Sequence, residues 1–167
     1  MGRASGVLMA VSSLPNSYGI GTFGKEAYDF IDFLVRTKQR YWQVLPLTTT
    51  SYGDSPYQSF SAAAGSPYYI DLKDLEKLGY LKSDDFEDIS FGTSNTCVDY
   101  GALFVNHRRL LNRAFDRFMQ DVPADFEKFC HDHAEWLDPY AEFMSLKEEF
   151  GHKAYWEWPK LYQHRNE

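Results

Sequence analysis

The densest run of side chains able to meet a ligand lies in residues 46–69, which contain TTTSYGDSPYQSFSAAAGSPYY. Tyrosine rings offer flat apolar faces, and their hydroxyls both donate and accept hydrogen bonds. Sugar rings lie on such faces, although the same rings also fill protein cores. Tyr52, Asp54, Ser55 and Tyr57 stand together in this run. Asp54 is expected to brace the loop, its carboxylate accepting backbone N–H groups in an Asx-type turn, rather than to act in catalysis. Ser55 is in reach of a ligand hydroxyl, and Pro56 fixes the backbone just ahead of Tyr57. Further on, Trp156 and Trp158 straddle Glu157; packing is the expected role of both rings, ahead of a ligand platform.

Other chemistry-bearing patterns are weaker. GIGTFG at residues 19–24 matches G-x-G-x-x-G between an apolar run and a helix. In a dinucleotide fingerprint the first glycine closes the strand, whereas SSLPNSY separates the two here. The second apolar run ends in Leu45-Pro46, with no carboxylate before Asp54 to hold a ribose. These glycines are therefore expected to shape a tight turn before the helix. Cys97 and Cys130 form no CxxC, and no paired His–Glu motif occurs, so neither a disulfide framework nor a zinc site is expected. Most of the 24 acidic residues sit on polar helical faces, as in Asp84-Asp85 and Glu148-Glu149, and read as solvated charge.

The elements that position these groups follow from periodicity. GVLMAV at 6–11 reads as a strand buried on both faces, and YWQVL at 41–45 as a second. Between them, 25–39 carries Ala27, Phe30, Ile31 and Leu34 at helical spacing, which predicts a βαβ unit with parallel strands. A short helix over 72–78 should be capped by Gly79. Asp99 should cap a helix with a stripe of Leu103, Phe104, His107, Leu110, Leu111, Ala114, Phe115 and Phe118. Pro123 should open the next helix, and Pro139 should interrupt it. The chain thus divides near residue 90 into a βαβ-plus-loop part, 1–90, and a helical part, 91–167. A net charge of −7 argues against nucleic acid or an anionic membrane as partner. With no convincing signal peptide and no run approaching the roughly 20 apolar residues of a span, a cytoplasmic protein is expected.

Several strings carry more than pattern. SGVLMAVSSLP followed by YGIGTFG, then YWQVLPL, YGDSPYQSFSAAAGSPYYIDL and VDY, resemble in order and spacing the amylomaltase family, also called disproportionating enzyme or glycoside hydrolase family 77. FGHKAYWEWP resembles a later stretch of the same family. The likeness is weakest over 80–96 and 115–135. Many members place a His shortly after the first strand, where this chain has Met9-Ala10-Val11.

The resemblance implies an α/β fold: the N-terminal part of a (β/α)8 TIM barrel, followed by a mostly helical inserted subdomain. It implies 4-α-glucanotransferase activity, the transfer of an α-1,4-glucan segment between maltooligosaccharides with retention, and no metal or organic cofactor. Tyr57 matches the tyrosine lining the sugar site beside the bond that is cut. Tyr52 resembles a tyrosine of a second glucan groove, with Tyr100 or Phe104 as its aromatic partner. Retention needs two carboxyl groups about 5–5.5 Å apart, which the family takes from strands beyond residue 167. No catalytic residue is therefore assigned here. By itself the chain is expected to be inactive and marginally stable or prone to associate, because two strands cannot close a barrel. The alternative is a non-catalytic maltodextrin-binding fragment.

Overall fold

The two apolar runs near the N-terminus do pair. A computed structural model describes residues 2–51, 53–94 and 96–164. In it, β1 (Gly6–Leu8) and β2 (Tyr41–Gln43) run parallel, with Gly6 opposite Tyr41 and Leu8 opposite Gln43. Both strands are shorter than expected. Val11 leaves the strand for a tight helical turn, Val11–Ser13, where its side chain is buried with Leu14 and Ala27. Nor is β1 buried on both faces, since Leu8 is 57% exposed. Two strands form only part of a layer, and Phe30 of α1 (Lys25–Arg36) covers one face by packing edge-on against Trp42. Of the expected stripe, Ala27 and Leu34 are buried, whereas Ile31 is exposed.

The turn before α1 explains GIGTFG. Gly24 is the N-cap of α1, and a Cβ there would lie 2.0 Å from the Asp71 carboxylate. Asp71 is buried and accepts a hydrogen bond from the Thr22 hydroxyl at 2.5 Å. Its other oxygen accepts the Asp74 N–H at 3.1 Å, capping α2 (Leu72–Lys77). One carboxylate thus ties the first helix entry to the second across 49 residues. Gly79 follows α2 with φ of +82°, the left-handed conformation expected of a C-terminal glycine cap.

α3 (Tyr100–Phe118) begins where expected, with the Asp99 carboxylate accepting the Ala102 N–H at 2.9 Å. Leu103, His107, Leu110 and Ala114 form its buried stripe. Phe104 and Phe115 stand outside it, 45% and 56% exposed. Leu110 and Ala114 pack with Leu72 and Leu81. Arg117 grips Asp85 through its two terminal guanidinium nitrogens, at 2.5 and 3.0 Å, and also donates to the Tyr80 carbonyl. That ion pair holds the Asp85 carboxyl down at about 2.

By compactness the chain separates into two units, Met1–Val122 and Pro123–Glu167, so α3 packs with the βαβ part. In the second unit α4 (Ala124–Glu149) starts directly after Pro123. Contrary to expectation it runs through Pro139 unbroken. Proline there removes one hydrogen bond, freeing the carbonyl of Glu135. Glu135 is exposed, so water can take up that acceptor. After α4, Trp158 is buried against Phe143 and Phe150, with ring centroids 5.6 and 5.5 Å away. Trp156 is 67% exposed, so the packing role expected for both tryptophans holds for Trp158 alone. A short α5 (Lys160–Gln163) ends the described chain. Among the described residues no helix is long and apolar enough to cross a membrane.

Candidate functional site

The tyrosine-bearing run after β2 is a loop with a closed neck. Thr48 bridges Gly65 antiparallel, and the Ser66 N–H donates to the Leu47 carbonyl at 2.8 Å. Within the loop, the Ser51 N–H reaches the Gln58 carbonyl at 2.9 Å. The tip is a β-turn closed by the Gln58 N–H on the Ser55 carbonyl at 3.1 Å, with Pro56 and Tyr57 at its centre. Proline favours the first central position because its φ is already set. This local chemistry pushes Tyr57 outward, and its side chain is 76% exposed.

Hydroxyls, not Asp54, hold the loop. Ser55 Oγ accepts the Tyr57 N–H at 3.4 Å, and Ser61 Oγ accepts the N–H groups of Ala63 and Ala64. Ser59 Oγ accepts the Ser61 N–H and lies 3.2 Å from Thr49 Oγ1. Among the described residues the expected Asx brace at Asp54 is not formed. Gly53 and Asp54 both take left-handed backbone, with φ of +95° and +55°. Aspartate tolerates that conformation better than most residues, and the Asp54 N–H donates back to the Ser51 carbonyl at 3.1 Å. The Asp54 carboxylate accepts no hydrogen bond from a described residue, and partial burial raises its pKa. Tyr52, the other expected contact in this loop, lies outside the described residues.

Tyr100, from the first turn of α3, comes close to this region. Its ring centroid is 6.3 Å from that of Tyr68, which follows the loop in the short turn Pro67–Tyr69. Burial raises the pKa of both phenols, and the Asp54 charge adds to the effect on each. Below them Tyr68 packs edge-on against His107 at 5.7 Å. His107 is 1% exposed, and neither ring nitrogen makes a well-aligned hydrogen bond to a described residue. Burial lowers its pKa to about 4, against a weaker opposing pull from the Ile70 carbonyl. An imidazole that titrates near 4 when folded and near 6.5 when unfolded binds more protons in the unfolded chain between those values. Its contribution is therefore fully present above pH 6.5 and is lost as pH falls towards 4. Asp85 adds a second acid-sensitive contribution, lost as pH drops from 3.8 towards 2. Thermal melting followed across pH should show the first decline, and His107→Leu should flatten it. An unchanged curve in that variant would remove His107 as the cause.

With the geometry in hand, likeness to known proteins becomes informative. Residues 9–167 match the family described as 4-alpha-glucanotransferase. The chain belongs to that family. A 4-alpha-glucanotransferase of Streptococcus pneumoniae serotype 4 is 56% identical over 159 residues, covering 94% of this chain and 31% of the relative. That of Thermus thermophilus is 44% identical over 169 residues, covering 99% of this chain and 33% of the relative. Among solved structures, the amylomaltase from Streptococcus agalactiae in complex with acarbose superposes with a TM-score of 0.90 at 50% identity. That match covers 95% of this chain and 32% of the amylomaltase. The chain therefore spans about a third of the length of the 4-alpha-glucanotransferases it matches.

In this family member the structure stacks Tyr100 against Tyr68, where the Asp54 charge is felt by both phenols, and leaves Tyr57 and Ser55 together at the loop tip. Sequence reasoning took Tyr68 only as one of the loop's aromatic rings with apolar surface to bury, and treated His107 as one more member of an apolar stripe. A polar residue within that stripe was the available signal. Its consequence depended on which ring would cover it.

Proposed function

We propose that the full-length protein is a 4-α-glucanotransferase that moves an α-1,4-glucan segment between maltooligosaccharides with retention. In this reading β1, α1 and β2 begin a (β/α)8 barrel, residues 1–90 belong to it, and residues 91–167 are a helical insertion. The catalytic carboxylates come from segments outside this chain, and the chain contributes a sugar-contacting lip. Tyr57 covers the C–H face of a glucose unit beside the scissile bond, and Ser55 meets a sugar hydroxyl. Tyr100, with Tyr52, serves a second glucan groove, and Asp54 offers an acceptor next to Tyr100. The reading is supported by family membership, by the relatives' shared name and by a neighbour solved with acarbose. The observation that carries it is the exposed Tyr57 ring at the tip of a turn that its own sequence fixes. A cytoplasmic setting, in which the unpaired Cys97 and Cys130 stay reduced, goes with it.

Incubating the full-length protein with maltotriose tests the proposal. Glucose together with oligomers longer than maltotriose is expected. Chain shortening with no lengthening would mean hydrolysis and would end the proposal.

A further inference from the structure

The chain carries a net charge of −7, yet three cations gather at one place with no acid among them. Arg3, Ala4, Ser5, Lys38 and Arg40 line an open concavity of about 330 Å³. It lies where β1 and β2 begin, at the end of the strands away from the loop that follows β2. The Arg40 N–H donates to the Ser5 carbonyl at 2.9 Å, one residue ahead of the Gly6–Tyr41 pair, which sets the two segments side by side. Neither Arg3, Lys38 nor Arg40 pairs with a carboxylate of a described residue, whereas Lys25, Lys73, Lys77 and Arg117 each do. Like charges gathered in one concavity repel, and an anion between them would reverse that.

Lys38 is also held in a backbone conformation that does not suit it. α1 ends in a Schellman motif, in which the Gln39 N–H donates to the Leu34 carbonyl at 2.9 Å and the Lys38 N–H to the Val35 carbonyl at 3.0 Å. The motif sets Lys38 at φ of +59°, a place that glycine fills at least cost. A cation near a helix C-terminus is favourable, but Arg36 in the last turn already supplies one. Both bonds of the motif are backbone bonds, so the Lys38 side chain is not needed for the turn and stays available at the concavity.

We propose that Arg3, Lys38 and Arg40, with the Ser5 hydroxyl, form a binding site for a phosphate-type dianion. Guanidinium forks match phosphate oxygens in pairs, lysine adds a point charge, and the serine hydroxyl donates one more hydrogen bond. The ligand is either the free ion or a phosphate carried on a sugar. The site does not depend on the reading of the tyrosine loop, and its test needs no turnover.

Titration calorimetry of the full-length protein at constant ionic strength reads the site, with inorganic phosphate and glucose 6-phosphate as probes. Phosphate should bind with a dissociation constant on the order of 1 mM, as a few exposed charge-assisted contacts allow. Asparagine tolerates the left-handed conformation, so Lys38→Asn should fold as wild type while weakening phosphate about tenfold. Arg3→Gln and Arg40→Gln change exposed side chains and should each weaken it by about three- to tenfold. If Lys38→Asn does not fold, the two arginine variants carry the test. Tighter binding of glucose 6-phosphate than of phosphate would assign the sugar ester as the ligand, and equal or weaker binding the free ion. No heat with either probe, the same heat with sodium chloride, or affinities unchanged in the folded variants would each overturn the inference.

Discussion

Gly21→Ala should severely destabilise the first unit. A Cβ at Gly21 would lie 1.9 Å from the Val11 carbonyl oxygen and 2.8 Å from both the nitrogen and oxygen of Leu14. All three are backbone atoms, so no side chain can swing aside. The Gly21 N–H also donates to the Ser12 carbonyl at 3.1 Å, which fixes the approach. Val11 and Leu14 are core residues, so relief of the clash would expose the cluster that holds α1 to the sheet. The cost is expected to exceed about 4 kcal/mol, among the large values seen for single substitutions, in a domain whose whole stability is about 5–15 kcal/mol. Urea unfolding followed by circular dichroism measures it. Gly65→Ala is the control, since no atom lies within 4 Å of its added Cβ, and its cost should stay within about 0.5 kcal/mol. A Gly21→Ala protein as stable as the Gly65→Ala one would refute the close approach.

Tyr57→Ala should have the opposite profile, leaving folding intact and removing activity. The ring is 76% exposed, and the backbone bond from the Tyr57 N–H to Ser55 Oγ does not need the side chain. Its melting temperature should therefore match that of wild type. In the full-length protein, loss of the stacking face should lower kcat/KM for maltotriose by about 10- to 100-fold. Tyr57→Phe keeps the face and loses only the hydroxyl, so its deficit should be under about tenfold. Glucose release from maltotriose is the assay. A Tyr57→Ala protein that melts early yet keeps its rate would show that the ring only packs the loop.

These two positions also divide what could be read in advance. The sequence by itself placed the elements governed by neighbours a few residues apart. Asp99 caps α3, Gly79 ends α2, Pro56 sets the turn that exposes Tyr57, and two β-branched or aromatic runs flanking an amphipathic helix pair in parallel. Caps, turns and periodicity act within about one helical turn, so the information lies in the local string. The unusual run YGDSPYQSFSAAAG also carried the family, which residues 9–167 bear out. Tertiary structure decided the rest. Asp71 reaches Thr22 across 49 residues, and that partnership determines why position 24 must be glycine. Asp54, expected to brace its own loop, leaves that task to serines, while its charge helps raise the pKa of Tyr68 and Tyr100. Pro139, a local stop signal, lies inside a helix that continues past it. The Asp71 partnership joins segments distant in sequence and leaves no mark in the spacing of residues, while the helix survives Pro139 because the carbonyl it frees, on exposed Glu135, is open to water.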